Sequence, residues 1–156
     1  MVALHEVTRS ALSRARLRGP ELRFTDELAP WYVRGEAAAL ERAVVNVLDN
    51  AVKFSPPAGT VEVSLRAGEL TVRDHGPGIP AEDLPHVFER FWRSSSARAL
   101  PGSGLGLSIV DRTVRRAGGS VELRAAPDGG PGTEAVLRVP GAPAPPPEQP
   151  SVVPDQ

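Results

Sequence analysis

Asn46-Val-Leu-Asp-Asn50-Ala-Val-Lys53-Phe54 carries two patterns at once. Leu40, Val44, Val47, Leu48 and Ala51 recur at helical spacing, so residues 36–54 are predicted to form a helix with one buried stripe. Asn46, Asn50 and Lys53 stand at i, i+4 and i+7 and share a second stripe well off the first. A face meant only for solvent is more often built from Glu, Lys or Arg. Asn is a mediocre helix former because its side chain competes for backbone groups. Two asparagines on one stripe therefore point to a polar task, such as holding a metal or phosphate oxygens. The plain alternative is the polar side of an amphipathic helix. Ser55-Pro-Pro-Ala-Gly59 ends the helix and turns the chain.

The elements on either side of this helix set the fold. Upstream, residues 3–18 read as a helix, with Leu4, Val7, Ala11, Leu12 and Ala15 at helical spacing and Gly19-Pro20 as its stop. Residues 21–25 and 31–34 read as short strands. Downstream, 60–66 and 69–74 alternate in strand fashion around a tight Ala67-Gly68 turn. A Gly/Pro loop covers 75–80, and a short helix is expected over 81–87. Residues 89–103, with Ser94-Ser-Ser96 and Pro101-Gly102, read as a mobile loop. A third helix runs from Leu105 to Gly118, and strands at 120–125 and 133–139 close the domain. The order predicts an α/β (α+β) two-layer sandwich, a mixed, mainly antiparallel sheet covered on one face by about three helices. The domain division expected is a helix over 1–18, the main domain over 19–140 and a proline-rich disordered tail over 141–156.

Bulk properties narrow the function. A chain of 156 residues suits one core, and 4 % aromatic content makes that core rest on Leu, Val and Ala. A net charge of −1 gives no case for nucleic acid as a bulk partner. With no cysteine there is no thiolate metal site or disulfide framework. His5, His75 and His86 lack metal-ligand spacing. No apolar run approaches the roughly 18 residues of a membrane span, and the N-terminus lacks a signal-peptide core. A cytoplasmic domain is expected, whose parent protein can still be anchored in the inner membrane. Lys53 stands out as the single lysine among 18 basic residues.

Three further segments carry chemistry. Asp74 ends a strand and enters Gly76-Pro-Gly78. A carboxylate there can accept a hydrogen bond from an exocyclic amine such as that of adenine, and the glycines let backbone approach a flat ring. The alternative is an ordinary strand-to-loop turn. Gly102-Ser-Gly104-Leu-Gly106 leads into a helix, where free N–H groups and the positive dipole end suit phosphates. No Gly-Lys-Ser/Thr follows, so it is not a Walker A loop, and a flexible hinge is the alternative. Between the loops, Phe88-Glu-Arg-Phe-Trp-Arg93 offers aromatics that would anchor one end of a lid by packing, and arginines, Arg90 and Arg93, that could reach phosphates, the plain alternative being solvated surface arginines.

In order, N-V-L-D-N-A-V-K-F-S-P, D-H-G-P-G-I-P, V-F-E-R-F and G-S-G-L-G-L-S-I-V resemble the N, G1, F and G2 boxes of sensor histidine kinases in the GHKL ATPase superfamily. The resemblance covers about residues 1–140 and implies a Bergerat-type ATP-binding fold with ATP and Mg²⁺ as cofactors. By position it implies Asn50 as the Mg²⁺ ligand, Asn46 and Lys53 as phosphate-side groups and Phe54 as a pocket wall. Asp74 becomes the adenine reader, with Gly76, Gly78 and Ile79 in its loop. Residues 94–101 become the ATP lid, flanked by Arg93. Gly102, Ser103, Gly104, Leu105, Gly106 and Leu107 become its phosphate-facing hinge, and Thr133 supports the adenine.

The superfamily's hydrolysing members place a glutamate, the general base for water, four residues before the metal asparagine. Here that position is Asn46, an amide that takes no proton near neutral pH. ATP is therefore expected to be held, with its γ-phosphoryl presented to a histidine on a separate dimerisation and phosphoacceptor domain, and from there to a response regulator. Asn46 and Lys53 would be the groups nearest that transfer. His5-Glu6 is not the acceptor: Val7-Thr-Arg-Ser10 follows, without the family's Thr-Pro pair. The chain thus reads as an isolated, monomeric ATP-binding domain without its own acceptor. The competing readings are an anti-sigma-type serine kinase and a non-catalytic nucleotide-sensing module. Lys53-Phe-Ser-Pro56 and the Phe-Glu-Arg-Phe segment favour the histidine type.

Overall fold

The apolar stripe around Asn46 forms the helix it predicts, α2 (Ala37–Phe54), burying Leu40, Ala43, Val44, Val47, Leu48 and Ala51. These positions face one way on a 3.6-residue period, and burying them against the sheet is the main drive for the helix to persist. This is a computed structural model, and it describes residues 1–79, 82–89, 106–127 and 129–145.

Two helices flank α2. Helix α1 (Leu4–Arg18) turns Leu4, Ala11, Leu12 and Ala15 inward, and α3 (Gly106–Arg116) contributes Leu107, Val110 and Val114. Together they cover one face of a five-stranded sheet. Its strands are β2 (Arg23–Leu28), β4 (Thr60–Arg66), β5 (Glu69–Arg73), β6 (Ser120–Ala125) and β7 (Thr133–Arg138), in the order β2-β4-β5-β7-β6. β2 and β4 are parallel because the chain crosses over through α2 between them, whereas the other neighbours are antiparallel. Val61, Val63, Leu65, Leu70 and Val72 are buried at alternating positions and meet the helices. The fold is the mixed, mainly antiparallel two-layer sandwich the sequence predicts.

The opposite sheet face is polar. Glu62, Arg73, Glu134 and Arg124 lie side by side on β4, β5, β7 and β6, so charges alternate across the strands. Arg124 Nε donates to Glu134 at 2.9 Å.

Three differences from the sequence reading have physical reasons. β2 runs on through Asp26–Leu28, because the parallel register with β4 keeps pairing through Leu28↔Leu65. The expected helix over 81–87 is a 3₁₀ turn at Leu84–His86, with Val87 buried and Phe88 packed on the core. A small second sheet also forms, in which β3 (Tyr32–Val33) lies between β1 (Val2–Ala3) and β8 (Gly141–Ala142). Its last strand lies in the segment that its prolines mark as tail, because pairing uses backbone groups and needs no apolar run. Trp31 joins this sheet to the rest: its indole donates to Val139 O at 2.9 Å, and its backbone N–H donates to His5 Nδ1 at 3.1 Å. His5 also meets Tyr32 edge-on, so it is a packing residue.

Candidate functional site

Asp74 follows the last residue of β5 and is 4 % exposed. A buried carboxylate must be compensated. Its Oδ1 accepts the Gly76 N–H at 2.9 Å and the Thr133 N–H at 3.3 Å. The Asp74 N–H in turn donates to Thr133 O at 3.0 Å. Among the described residues Oδ2 accepts nothing, which leaves one oxygen for a donor from outside. Burial pushes the carboxyl above its ordinary value; the two backbone N–H groups, then His75 and Arg73, pull it part of the way back.

The loop after Asp74 is held by close backbone packing that explains its glycines. A Cβ on Gly76 would lie 2.1 Å from the Phe54 carbonyl oxygen, and one on Gly132 would lie 2.0 Å from the Asp74 carbonyl oxygen. Gly78 has φ +82°, and its α-carbon faces Gly132 across the site. The end of α2, the Asp74 loop and the start of β7 thus converge, with Phe54 and Ile79 half-buried and Thr133 buried at the junction.

The stripe that opened the sequence reading behaves differently. Asn46 and Asn50 are half-buried and Lys53 is exposed. Among the described residues none of the three has a side-chain hydrogen bond or ion pair. The neighbouring Asp49 points elsewhere, to Arg18 on α1. A Cβ on Gly106, the first described residue of α3, would sit 3.9 Å from the Asn46 side chain, so this end of α3 lies against the stripe. Leu107, the next residue, is buried.

The structure therefore brings together Asn46, Gly106 and Leu107 on one side, and Phe54, Asp74, Gly76, Gly78, Ile79 and Thr133 on the other, with Asn50 and Lys53 on the α2 stripe. Arg93, Gly102, Ser103, Gly104 and Leu105 lie outside the described residues, as does the expected lid over 94–101. Arg73 and Pro131 escaped the sequence reading: Arg73 Nη2 donates to Pro131 O at 3.3 Å, directly behind Asp74 and Thr133. Arg73 closes the strand Glu69–Arg73, and a cation set between the buried Val72 and Asp74 was the available signal.

Comparison with known proteins shows the family. The profile described as "Histidine kinase-, DNA gyrase B-, and HSP90-like ATPase" matches residues 35–143. A signal transduction histidine-protein kinase/phosphatase MprB from Mycobacterium avium is 47 % identical over 93 % of this chain. The chain spans only 29 % of that relative's length. The solved structure of a mycobacterial sensor histidine kinase MprB superposes with a TM-score of 0.86 at 45 % identity, covering 92 % of this chain and 99 % of that one. The ATP-binding domain of PrrB from Mycobacterium tuberculosis superposes with a TM-score of 0.68 at 28 % identity, covering 90 % and 96 %. The chain belongs to the histidine kinase-, DNA gyrase B- and HSP90-like ATPase family, as an ATP-binding catalytic domain of the sensor histidine kinase type.

Proposed function

We propose that this domain binds Mg-ATP in the cleft between the α2 stripe and the Asp74 loop and donates the γ-phosphoryl to a histidine on a separate dimerisation domain. The observation that carries the reading is the buried Asp74 carboxylate, with one oxygen saturated by backbone N–H groups and the other left for an adenine amine. Phe54 and Ile79 would flank the base, and Thr133 would hold the acceptor in place. Asn46, Lys53 and the start of α3 would face the phosphates.

The donor set suits a hard divalent ion. Mg²⁺ prefers oxygen ligands, keeps several waters, and is commonly held by few protein groups plus phosphate oxygens. No group of three or more His, Cys, Asp or Glu among the described residues forms a metal site. The amide oxygen of Asn50 is the protein ligand we assign. The ion would neutralise charge on the phosphates, and the domain's contribution is positioning. Asn46 cannot take a proton from water, so hydrolysis should be slow relative to transfer.

The acceptor is proposed to lie on the dimerisation domain of a longer kinase, with a response regulator as the final recipient. No described helix is long and apolar enough to cross a membrane, and anchoring in the inner membrane would reside elsewhere in such a parent.

Calorimetric titration tests the pocket. ATP should bind and GTP should not, and Asp74→Ala should cost about 1–3 kcal/mol of ATP binding. An Asp74→Ala variant that binds ATP as well as its parent would sink the adenine assignment. Incubation with an acceptor hairpin tests the transfer: acid-labile phosphate supports histidine, acid-stable phosphate supports a serine kinase.

A further inference from the structure

Arg73 is an arginine with 8 % exposure at the end of a central strand. Its side chain lies on the polar sheet face, across from the helices, in a groove it shares with Thr25, Glu62, Thr71 and Glu134. Its strand partners are both acidic: Glu62 on β4, which also meets His75 Nε2 at 3.6 Å, and Glu134 on β7, which bonds Arg124. Burying a guanidinium is costly and needs such company.

Its reach is more informative than its company. The guanidinium donates to the carbonyl of Pro131, in the turn that enters β7. Two residues later the Thr133 N–H lands on Asp74 Oδ1, and between them Gly132 has φ +120° and packs against the Asp74 carbonyl. Thr133 N–H to Asp74 is the longer of the two bonds on that oxygen, 3.3 against 2.9 Å, and it comes from the first residue of β7, directly after the 129–132 turn, whereas Gly76 is only two residues away in the chain. The Gly76 bond is local and assembles with the loop. Thr133 O is already held by the Asp74 N–H at 3.0 Å, so what the 129–132 turn sets is the direction in which the Thr133 N–H points.

We propose that Arg73 is a positioning residue for base discrimination: by holding the Pro131 carbonyl from behind the sheet, it keeps the Thr133 amide on Asp74 Oδ1 and so aims Oδ2 at the adenine amine. This rests on the reading of Asp74 as the adenine contact. It assigns the specificity of the pocket partly to a side chain on the far face of the sheet, which never touches nucleotide.

The test compares ATP with inosine triphosphate, whose base carries an oxygen in place of the amine, on the 156-residue chain. The parent should prefer ATP, and Asp74→Ala should abolish the preference. Arg73→Met should lower the ATP preference about tenfold, the scale of one lost hydrogen bond to a charged group. It should also speed hydrogen exchange at the Thr133 amide while leaving Val63 and Val72 amides protected. Arg73→Lys, which retains charge and reach, should recover part of both, and it serves for the comparison if Arg73→Met fails to fold. An unchanged preference and unchanged Thr133 exchange in a folded Arg73 variant overturn the role of Arg73 while the adenine reading stands. A parent without preference, or Asp74→Ala retaining it, overturns both.

Discussion

The two ends of the proposed site are built on opposite plans. Around Asp74 one carboxylate oxygen is engaged by two backbone N–H groups, and Gly76 and Gly132 are packed at distances where no Cβ fits. Along α2, Asn46, Asn50 and Lys53 stand without partners among the described residues, on one face of a regular helix. The first end is preorganised: its geometry exists before any ligand arrives, so little ordering cost falls on binding. The second is a row of amide and amine groups whose geometry would be completed by phosphates and a cation. Base recognition should therefore be rigid and specific, while phosphate recognition should depend on ions in solution.

Substitutions can break this contrast directly. Gly76→Ala should have the largest effect, on the order of 100-fold in ATP affinity, because displaced backbone misplaces the reading group. Calorimetry checks it, and parental affinity would show that the loop yields easily. Asn50→Ala should weaken ATP about tenfold with Mg²⁺ present and leave affinity unchanged in chelator. Equal weakening in both titrations would remove the metal role and make the two ends alike. Gly129→Ala should have the smallest effect on nucleotide. Its φ is +76° but nothing lies within 4 Å of the added Cβ, so about 1 kcal/mol of stability is lost and ATP affinity is kept.

The Asp74 end should also respond to acid. The Asp74 carboxyl titrates above its ordinary 3.8 because burial disfavours its charge. Its favourable contribution to folding is thus complete below that pH and is lost as pH rises through the raised value. Asp74→Asn has no such titration, so its stability relative to the parent should climb from about pH 4 upward. Denaturant melts between acid and neutral pH measure this, and a flat difference would mean the site does not hold its charge at a cost. The same variant should lose its preference for ATP.

The sequence made the helices and the main sheet legible because their apolar residues repeat at 3.6 or 2 residues. Alternation at Val61, Val63 and Leu65 sets the buried face of β4 without reference to any partner. β2 was harder: Asp26–Leu28 is mostly polar, and only its pairing with β4 makes it strand. Of the small sheet only β3 was legible, within the strand expected over 31–34; β1 and β8 were not, since two-residue strands have no period. At the site, Asp74 and the α2 stripe could be found from residue type and spacing. The work of Arg73 and the fit of Gly132 against Asp74 could not, because both link β5 to the start of β7 across about 60 residues of sequence.

The small sheet has a mechanical consequence. β1 and β8 flank the same strand, β3, by two residue pairs each, so segments entering and leaving the domain emerge about 10 Å apart. Tension applied between them loads those four pairs and the Trp31 indole before it reaches the five-stranded sheet. Under a stretching force, the domain should yield first by releasing a short length from one of its ends, leaving the nucleotide cleft assembled. A force-extension trace showing a small first step that ATP does not shift, followed by a large step that ATP delays, would record that order. A single step delayed as a whole would mean that the small sheet and the cleft share one fate.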